Sequence, residues 1–331
     1  MEKFKAFRIQ EVDRKIQAGF VECSLEDLDP GEVVVRVAYS DVNYKDALAA
    51  TGKGRILRRA ACIGGIDLAG TVVSSSDARF AKGDAVLATG YDLGVAHHGG
   101  YAEYARVPAD WLLKLPRGLT PWEAMALGTA GFTAGLGIVR MEQNGLKPAN
   151  GPVIVTGATG GVGSIAIDAL ARLGYHVVAL TGKPHETDYL KSLGAQEVRL
   201  RSELDLSKVK PLDRAQWAGA VDNLGGEVLA WVASTMQVGG AIASIGLAAS
   251  MSLNTTVAPF ILRGVSLLGI DSVNCPMALR SEVWRRLAND MRPAHLKAMT
   301  RTVGFAELPG VFDAFIEARA KGRIVVDLAA G

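Results

Sequence analysis

The sequence predicts an α/β protein in which a doubly wound parallel sheet follows a mostly β domain. Three observations carry this. A glycine-rich turn, Gly157-Ala-Thr-Gly160-Gly161-Val-Gly163, joins the apolar run Val153–Thr156 to a run with helical spacing. Downstream of about residue 126, strand-like and helix-like runs alternate, which means parallel strands with right-handed crossovers. Upstream of it, short β-rich runs are separated by turn chemistry.

The turn is the organising stretch. Val162, Ile165, Ala166, Ala169, Leu170 and Leu173 follow at helical spacing, and a second apolar run, Val177–Leu180, comes after them. A β-turn-α-β unit of this kind presents bare N–H groups at a helix N-terminus, which suits a pyrophosphate. A glycine turn that serves only close packing is the other reading. The strands expected are 153–156, 177–181, 196–199, 218–222, 241–246 and 265–271. Helices are expected at Val162–Leu173, His185–Leu193, Gly226–Met236 and Val257–Arg263.

In the first domain, β-rich runs recur at Lys5–Gln10, Glu32–Tyr39, Asp67–Ser74, Ala85–Thr89, Tyr101–Val107 and Trp111–Lys114. A short helix is expected over Asn43–Ala50. Thr120-Pro121 reads as N-cap and first helical position of another through Leu127. Residues 1–125 form one domain and 126–299 the dinucleotide-binding domain. A helix over Pro309–Lys321 and a strand over Arg323–Leu328, within about 300–331, return to the first domain.

Composition narrows the partners. The chain has 331 residues and a formal charge of +2, which speaks against nucleic acid or an anionic membrane as partner. No run of spanning length and no apolar signal core stand out, so a cytoplasmic protein is expected. The cysteines Cys23, Cys62 and Cys275 are three in number and far apart, giving neither a disulfide framework nor a Cys-x-x-Cys site. Adjacent His97 and His98 point in opposite directions on an extended segment and lack a third ligand.

The cofactor is read from the end of the second strand. NAD-binding proteins usually carry Asp or Glu there for the ribose hydroxyl. This chain has Thr181-Gly182-Lys183, a cation and no carboxylate. Lys183, with Arg201 after the third strand, would attract the 2′-phosphate of NADPH. Taken singly, each also reads as a solvated surface cation.

Longer blocks carry a family resemblance. Gly128-Thr-Ala-Gly-Phe-Thr-Ala134 with the glycine turn resembles the quinone-oxidoreductase branch of the medium-chain dehydrogenase/reductase superfamily. Asn43-Tyr-Lys-Asp46, Thr51–Gly54, Gly65–Gly70, Trp217–Ala220, Pro259–Arg263 and Gly269–Val273 are similar to the NADPH-dependent acrylyl-CoA reductases. The resemblance implies a GroES-like first domain, a Rossmann second domain and a homodimer paired through the edge strand 265–271. It places Thr159, Gly160, Gly161 and Val162 along the pyrophosphate. It also implies cofactor contacts for Tyr44, Leu247, Ile261, Ser272 and Arg323. Ile261 reads equally as a core residue.

The zinc-dependent relatives have Gly-His-Glu where this chain has Gly65-Ile66-Asp67. Their metal cysteine falls in Ser40–Asn43, and their later ligand falls near Thr129. No cysteine lies between 90 and 110, where they hold a structural cluster. A zinc-independent enzyme is expected, reducing a double bond that carries its own electron sink. Tyr44 and Arg323 are the expected catalytic residues, with Tyr91 a third candidate. Tyr44 also reads as a packed aromatic without a proton role. The substrate implied is an acyl-CoA thioester, acrylyl-CoA going to propionyl-CoA. An NADPH:quinone or enone reductase is the alternative, and a nucleotide-binding sensor without turnover belongs to another class. Lys53, Arg55, Arg58 and Arg59 form a basic stretch that would suit coenzyme A phosphates or plain solvent.

Overall fold

A computed structural model describes residues 3–317 and 319–329. The chain divides into two compact units. The first comprises Met1–Thr129, Val273–Ser281 and Leu296–Gly331; the second comprises Ala130–Ser272 and Glu282–His295. Val273–Ser281 thus falls in the first unit, where the sequence reading kept 126–299 whole.

The first unit is built on two sheets. One runs in the order Thr300–Gly304, Arg323–Asp327, Val33–Asp41, Asp67–Ser75, Ala85–Thr89 and Leu113–Lys114, with Tyr104–Val107 also paired to Val33–Asp41. The C-terminal strand therefore does return to this unit, antiparallel to Val33–Asp41, with Val325 opposite Asp41. The second sheet has the order Lys15–Cys23, Phe4–Val12, Ala61–Ile63. Phe7, Tyr101, Phe305 and Phe312 pack in the core with alternate valines of Val33–Asp41. Lys15–Cys23 escaped the sequence reading because its hairpin turn is Asp13-Arg14. Both residues take positive φ, 49° and 61°, without the Asn-Gly signal that usually announces such a turn. Thr300–Gly304 was missed as well.

The second unit carries a six-stranded parallel sheet in the order Glu197–Leu200, Val177–Thr181, Val153–Thr156, Trp217–Asp222, Met236–Ser244, Ser266–Gly269. This is the doubly wound arrangement, with its switch point between Val153–Thr156 and Trp217–Asp222. The first two strands have the expected bounds. Met236–Ser244 starts five residues earlier than read, since its register against Trp217–Asp222 shifts through an irregularity.

Three helices differ from expectation. Thr120 caps Pro121–Gln143 as read: Glu123 N donates to Thr120 Oγ1 at 3.2 Å, and Thr120 N to Glu123 Oε2 at 2.8 Å. The helical run continues to Gln143, interrupted only at Gly128 (φ 53°, ψ −157°). By length and composition it reaches spanning length, with mean hydropathy 1.3, contrary to the reading that no run does. Yet 89% of that stretch is buried inside the protein, as in a core helix. The C-terminal helix Leu308–Ile316 stops short of Lys321, and Ala318 of the expected span lies outside the described residues. Met277–Leu287 is a helix that the sequence reading did not draw.

Candidate active site

The second unit supplies a dinucleotide site. Thr156 ends a fully buried strand, and Gly157 turns the chain at φ 57°. A Cβ at Gly163 would stand 2.6 Å from the Gly157 carbonyl oxygen, so only glycine lets the helix Gly161–Arg172 pack on that turn. The first N–H groups of this helix have no acceptor within it. Gly160 is exposed, Gly161 and Val162 are half-buried, and Thr159 is buried. Backbone donors and helix dipole thus meet at one accessible spot.

The floor is held from the neighbouring strand. Asp222 accepts from Thr156 Oγ1 at 2.7 Å and from Gly225 N at 2.9 Å. Burial holds its carboxyl above the ordinary range, against those hydrogen bonds. Asn223 donates through Nδ2 to the Thr156 carbonyl at 2.7 Å. Its Oδ1 is buried with no hydrogen-bond partner among the described residues. An orphaned acceptor at the switch point fits a site made for a bound group with donors of its own.

Arg201 reaches the end of the second strand, beside the backbone that leads to Lys183. A Cβ built on Gly182 would lie 3.5 Å from Nη2 of Arg201, so the guanidinium rests over the end of the second strand. Arg201 is exposed and has no side-chain hydrogen bond or ion pair among the described residues. Thr181 is buried and Lys183 half-buried, with Lys183 N donating to Thr181 Oγ1 at 3.0 Å. Leu247 is 57% exposed after the fifth strand. Ile261 is 71% exposed, which excludes the core reading. Ser272 is half-buried beyond the sixth strand.

The first unit supplies a buried polar cluster beside Tyr44. Helix Tyr44–Thr51 begins after Asn43, whose N–H donates to Asp46 Oδ2 at 2.9 Å. Asp46 Oδ1 accepts from Ile66 N at 3.1 Å, tying the helix start to the Gly65-Ile66-Asp67 stretch. Asn43 Nδ2 bridges Asp41 Oδ1 (2.8 Å) and Asp67 Oδ2 (2.9 Å). Thr129 donates to Asp67 through N at 2.7 Å and Oγ1 at 2.5 Å. The three stretches expected to correspond to zinc ligands therefore converge, but they close on one another by hydrogen bonds. Both Asp67 oxygens are occupied, Ile66 has no donor atom, and no group of three or more His, Cys, Asp or Glu among the described residues could hold a metal. This donor set does not fit zinc.

Three carboxylates, Asp41, Asp46 and Asp67, are buried with one guanidinium, Arg323. Burial pushes Asp46 up to about 7, against two backbone donors. Asp41 is held well above the ordinary range by burial and then by Asp67's charge, which Arg323 only partly offsets. Arg323 differs from what was expected of it. It is 2% exposed, and its donors go to Asp41 Oδ2, Asn43 Oδ1 (3.3 Å), the Ala126 carbonyl (2.9 Å) and the Met125 carbonyl (3.4 Å). A guanidinium engaged in this way orders the cluster and is not presented to a ligand. The expected catalytic and cofactor contacts of Arg323 are corrected accordingly.

Tyr44 is 50% exposed, and its hydroxyl makes no hydrogen bond among the described residues. Tyr91 takes φ 52°, rare for a side chain of this size. Its ring is stacked on Trp111 at 5.3 Å, with the Arg280 guanidinium 4.5 Å from its centroid. His97 and His98 are engaged with backbone: His97 Nε2 with the Pro30 carbonyl at 3.1 Å, His98 Nδ1 accepting from Ile63 N at 3.0 Å. The cysteines are free thiols, all buried.

Asp41, Asp46, Asp222 and Asn223 had no role in the sequence reading. Only Asp46 left a usable signal, standing three residues after Asn43 with capping-box spacing.

Known proteins agree with this architecture. The alcohol dehydrogenase GroES-like domain matches residues 29–117, and the zinc-binding dehydrogenase family matches residues 161–289. The acrylyl-CoA reductase AcuI of Ruegeria pomeroyi is 49% identical over 314 residues, 95% of this chain and 95% of its own. The chain belongs to the medium-chain dehydrogenase/reductase superfamily. YhfP of Bacillus subtilis, provisionally named a quinone oxidoreductase, is 50% identical over 98% of this chain and 99% of its own. Its crystal structure with NAD bound aligns at a TM-score of 0.97, covering 99% of this chain and 100% of that one. The yhdH oxidoreductase of Salmonella enterica, solved in complex with NADP, aligns at 0.95 with 45% identity over 98% of this chain and 99% of its own. The chain is an oxidoreductase of this superfamily with a Rossmann parallel sheet and a GroES-like domain.

Proposed function

We propose that the protein reduces acrylyl-CoA to propionyl-CoA with NADPH and without a catalytic zinc. The observation that carries this is the full-length likeness to the acrylyl-CoA reductase of Ruegeria pomeroyi. Thr159, Gly160, Gly161 and Val162 would hold the pyrophosphate, with Thr181, Gly182, Lys183 and Arg201 around the 2′-phosphate. Leu247, Ile261, Ser272 and Tyr44 would line the rest of the cofactor. NADPH supplies the hydride when bound.

The protein's own part is orientation and electrostatics. A thioester carbonyl conjugated to C=C gathers negative charge on oxygen as Cβ is reduced, so it needs no Lewis acid but does need a donor. The free hydroxyl of Tyr44 suits that donor and the proton for Cα. Asn43, Asp46 and Arg323 hold the helix that carries it.

The exposed Leu267 on the edge strand Ser266–Gly269, with exposed Val257, Ile261 and Leu262, supports a homodimer through this edge. A near-neutral charge supports a cytoplasmic enzyme without nucleic acid or membrane partners.

The test is NADPH oxidation followed with acrylyl-CoA, crotonyl-CoA and 1,4-benzoquinone. Turnover of the thioesters is expected. Oxidation with the quinone alone would favour the reading suggested by YhfP, and tight NADPH binding with no turnover would favour a sensor.

A further inference from the structure

A cavity of about 770 Å³ opens in the first unit, lined in part by Arg14, Arg55, Arg58 and Arg59. Its size is that of a small-ligand site. Arg14 comes from the hairpin turn after Phe4–Val12, and the others come from the loop after helix Tyr44–Thr51. Residues far apart in sequence thus bring four arginines to one cavity. Two of these are fixed by neighbours: Arg59 by Asp29, at 2.6 and 2.8 Å, and Arg58 by Asp92. Arg14 and Arg55 are exposed and make no ion pair among the described residues. The floor is apolar, with half-buried Ile16, Ile56 and Leu57 packed on the core beneath. Glu11 and Asp13 also line it and add two carboxylates as acceptors.

The geometry points to this cavity as the seat of the adenosine 3′,5′-bisphosphate end of a coenzyme A thioester. The inference rests on the acyl-CoA reading and gives its substrate a second anchor. Guanidiniums recognise phosphate oxygens through paired donors, and Arg14 and Arg55 have theirs unengaged. The apolar floor receives the adenine face, and the carboxylates of Glu11 and Asp13 accept from ribose hydroxyls. Ala49 lines the cavity and lies on the same helix as Tyr44, about 8 Å along its axis at ~1.5 Å per residue. One short helix thus links the phosphate seat to the donor at the reacting end. Only Arg55, Arg58 and Arg59 of the basic stretch contribute; Lys53 does not line the cavity.

The test uses NADP⁺-saturated protein, so that the dinucleotide site is filled. Coenzyme A, dephospho-coenzyme A and adenosine 3′,5′-bisphosphate are titrated calorimetrically. Wild type is expected to bind coenzyme A roughly tenfold more tightly than the dephospho form, the scale of one charge-assisted hydrogen bond. The Arg14→Ala/Arg55→Ala double variant should lose that preference and the bisphosphate, and should raise KM for acrylyl-CoA while its Kd for NADPH stays that of wild type. These are exposed positions, and a thermal melt matching wild type verifies the fold. A preference absent in wild type, or surviving in the double variant, overturns the assignment. Coenzyme A binding with this pattern but no thioester turnover would sink the proposed activity and leave the phosphate seat standing.

Discussion

Arg323 and Asp41 form an ion pair buried to 2% and 0% exposure, and Gly128 is the residue that makes room for it. A Cβ at Gly128 would stand 1.7 Å from Asp41 Oδ2 and 2.6 Å from Arg323 Nη2, and the position has φ +53° besides. The break in the helical run, the ion pair and the helix carrying Tyr44 are therefore one construction. Asp41 opposes Val325 across the sheet, so the C-terminal strand delivers Arg323 to a cluster otherwise made by residues between Asp41 and Thr129.

Gly128→Ala should destabilise the protein by about 3 kcal/mol or more, because it strains the backbone and dislodges a buried charge pair. Urea unfolding measures this. A loss below about 1 kcal/mol would mean that the pair is not held as described. Arg323→Gln should cost about 1–3 kcal/mol by leaving the buried acceptors on Asp41, Asn43 and the Ala126 carbonyl short of donors. Adding Asp41→Asn should restore part of that loss.

Asp46 gives a pH signature. Its folded-state value is about 7 against an ordinary 3.8, so the folded protein holds this proton more tightly than the unfolded chain. The contribution to stability is complete below pH 3.8 and is lost as pH rises to about 7. Wild type should therefore lose stability relative to Asp46→Asn across that window, on the order of 4 kcal/mol at most. Parallel denaturation curves for the two proteins at every pH would contradict this.

The proposed reading rests cofactor choice on Lys183 and Arg201. Replacing both with Ala should weaken NADPH roughly tenfold or more and leave NADH nearly untouched. Fluorescence titration of both cofactors decides it. Equal losses would place the 2′-phosphate elsewhere. The question is pointed, since one relative of this fold was solved with NAD and another with NADP.

Tyr44→Phe keeps the ring and removes the hydroxyl. As a proton donor, Tyr44 predicts a fall in turnover of about 10²-fold or more with little change in NADPH affinity. Unchanged single-turnover rates would leave it a positioning ring.

Much of this was legible in the sequence, for physical reasons. Val153–Thr156, the glycine turn and Val177–Thr181 combine continuous burial with residues that only one backbone path accepts, so even their bounds could be read. Lys183 and Arg201 stood out as candidates because phosphate selection would show in charge. Asp41, Asp46 and Arg323 were not legible as a cluster. Their meaning depends on strand pairing across almost the whole chain, and local spacing says nothing of it. Arg323 was misread for the same reason: an arginine after a glycine shows its charge in sequence but not its burial. Arg14 was invisible because nothing local connects a hairpin turn to the loop at 55–59.

In the proposed reaction two hydrogens are added across the double bond of a coenzyme A thioester. Mass spectrometry of the thioester, run beside NADPH absorbance, tests it most directly. One propionyl-CoA should appear for each NADPH consumed from acrylyl-CoA, and the yield should hold when 1,4-benzoquinone is present in equal amount. Unchanged acrylyl-CoA in a tube where the quinone has become hydroquinone would contradict the claim.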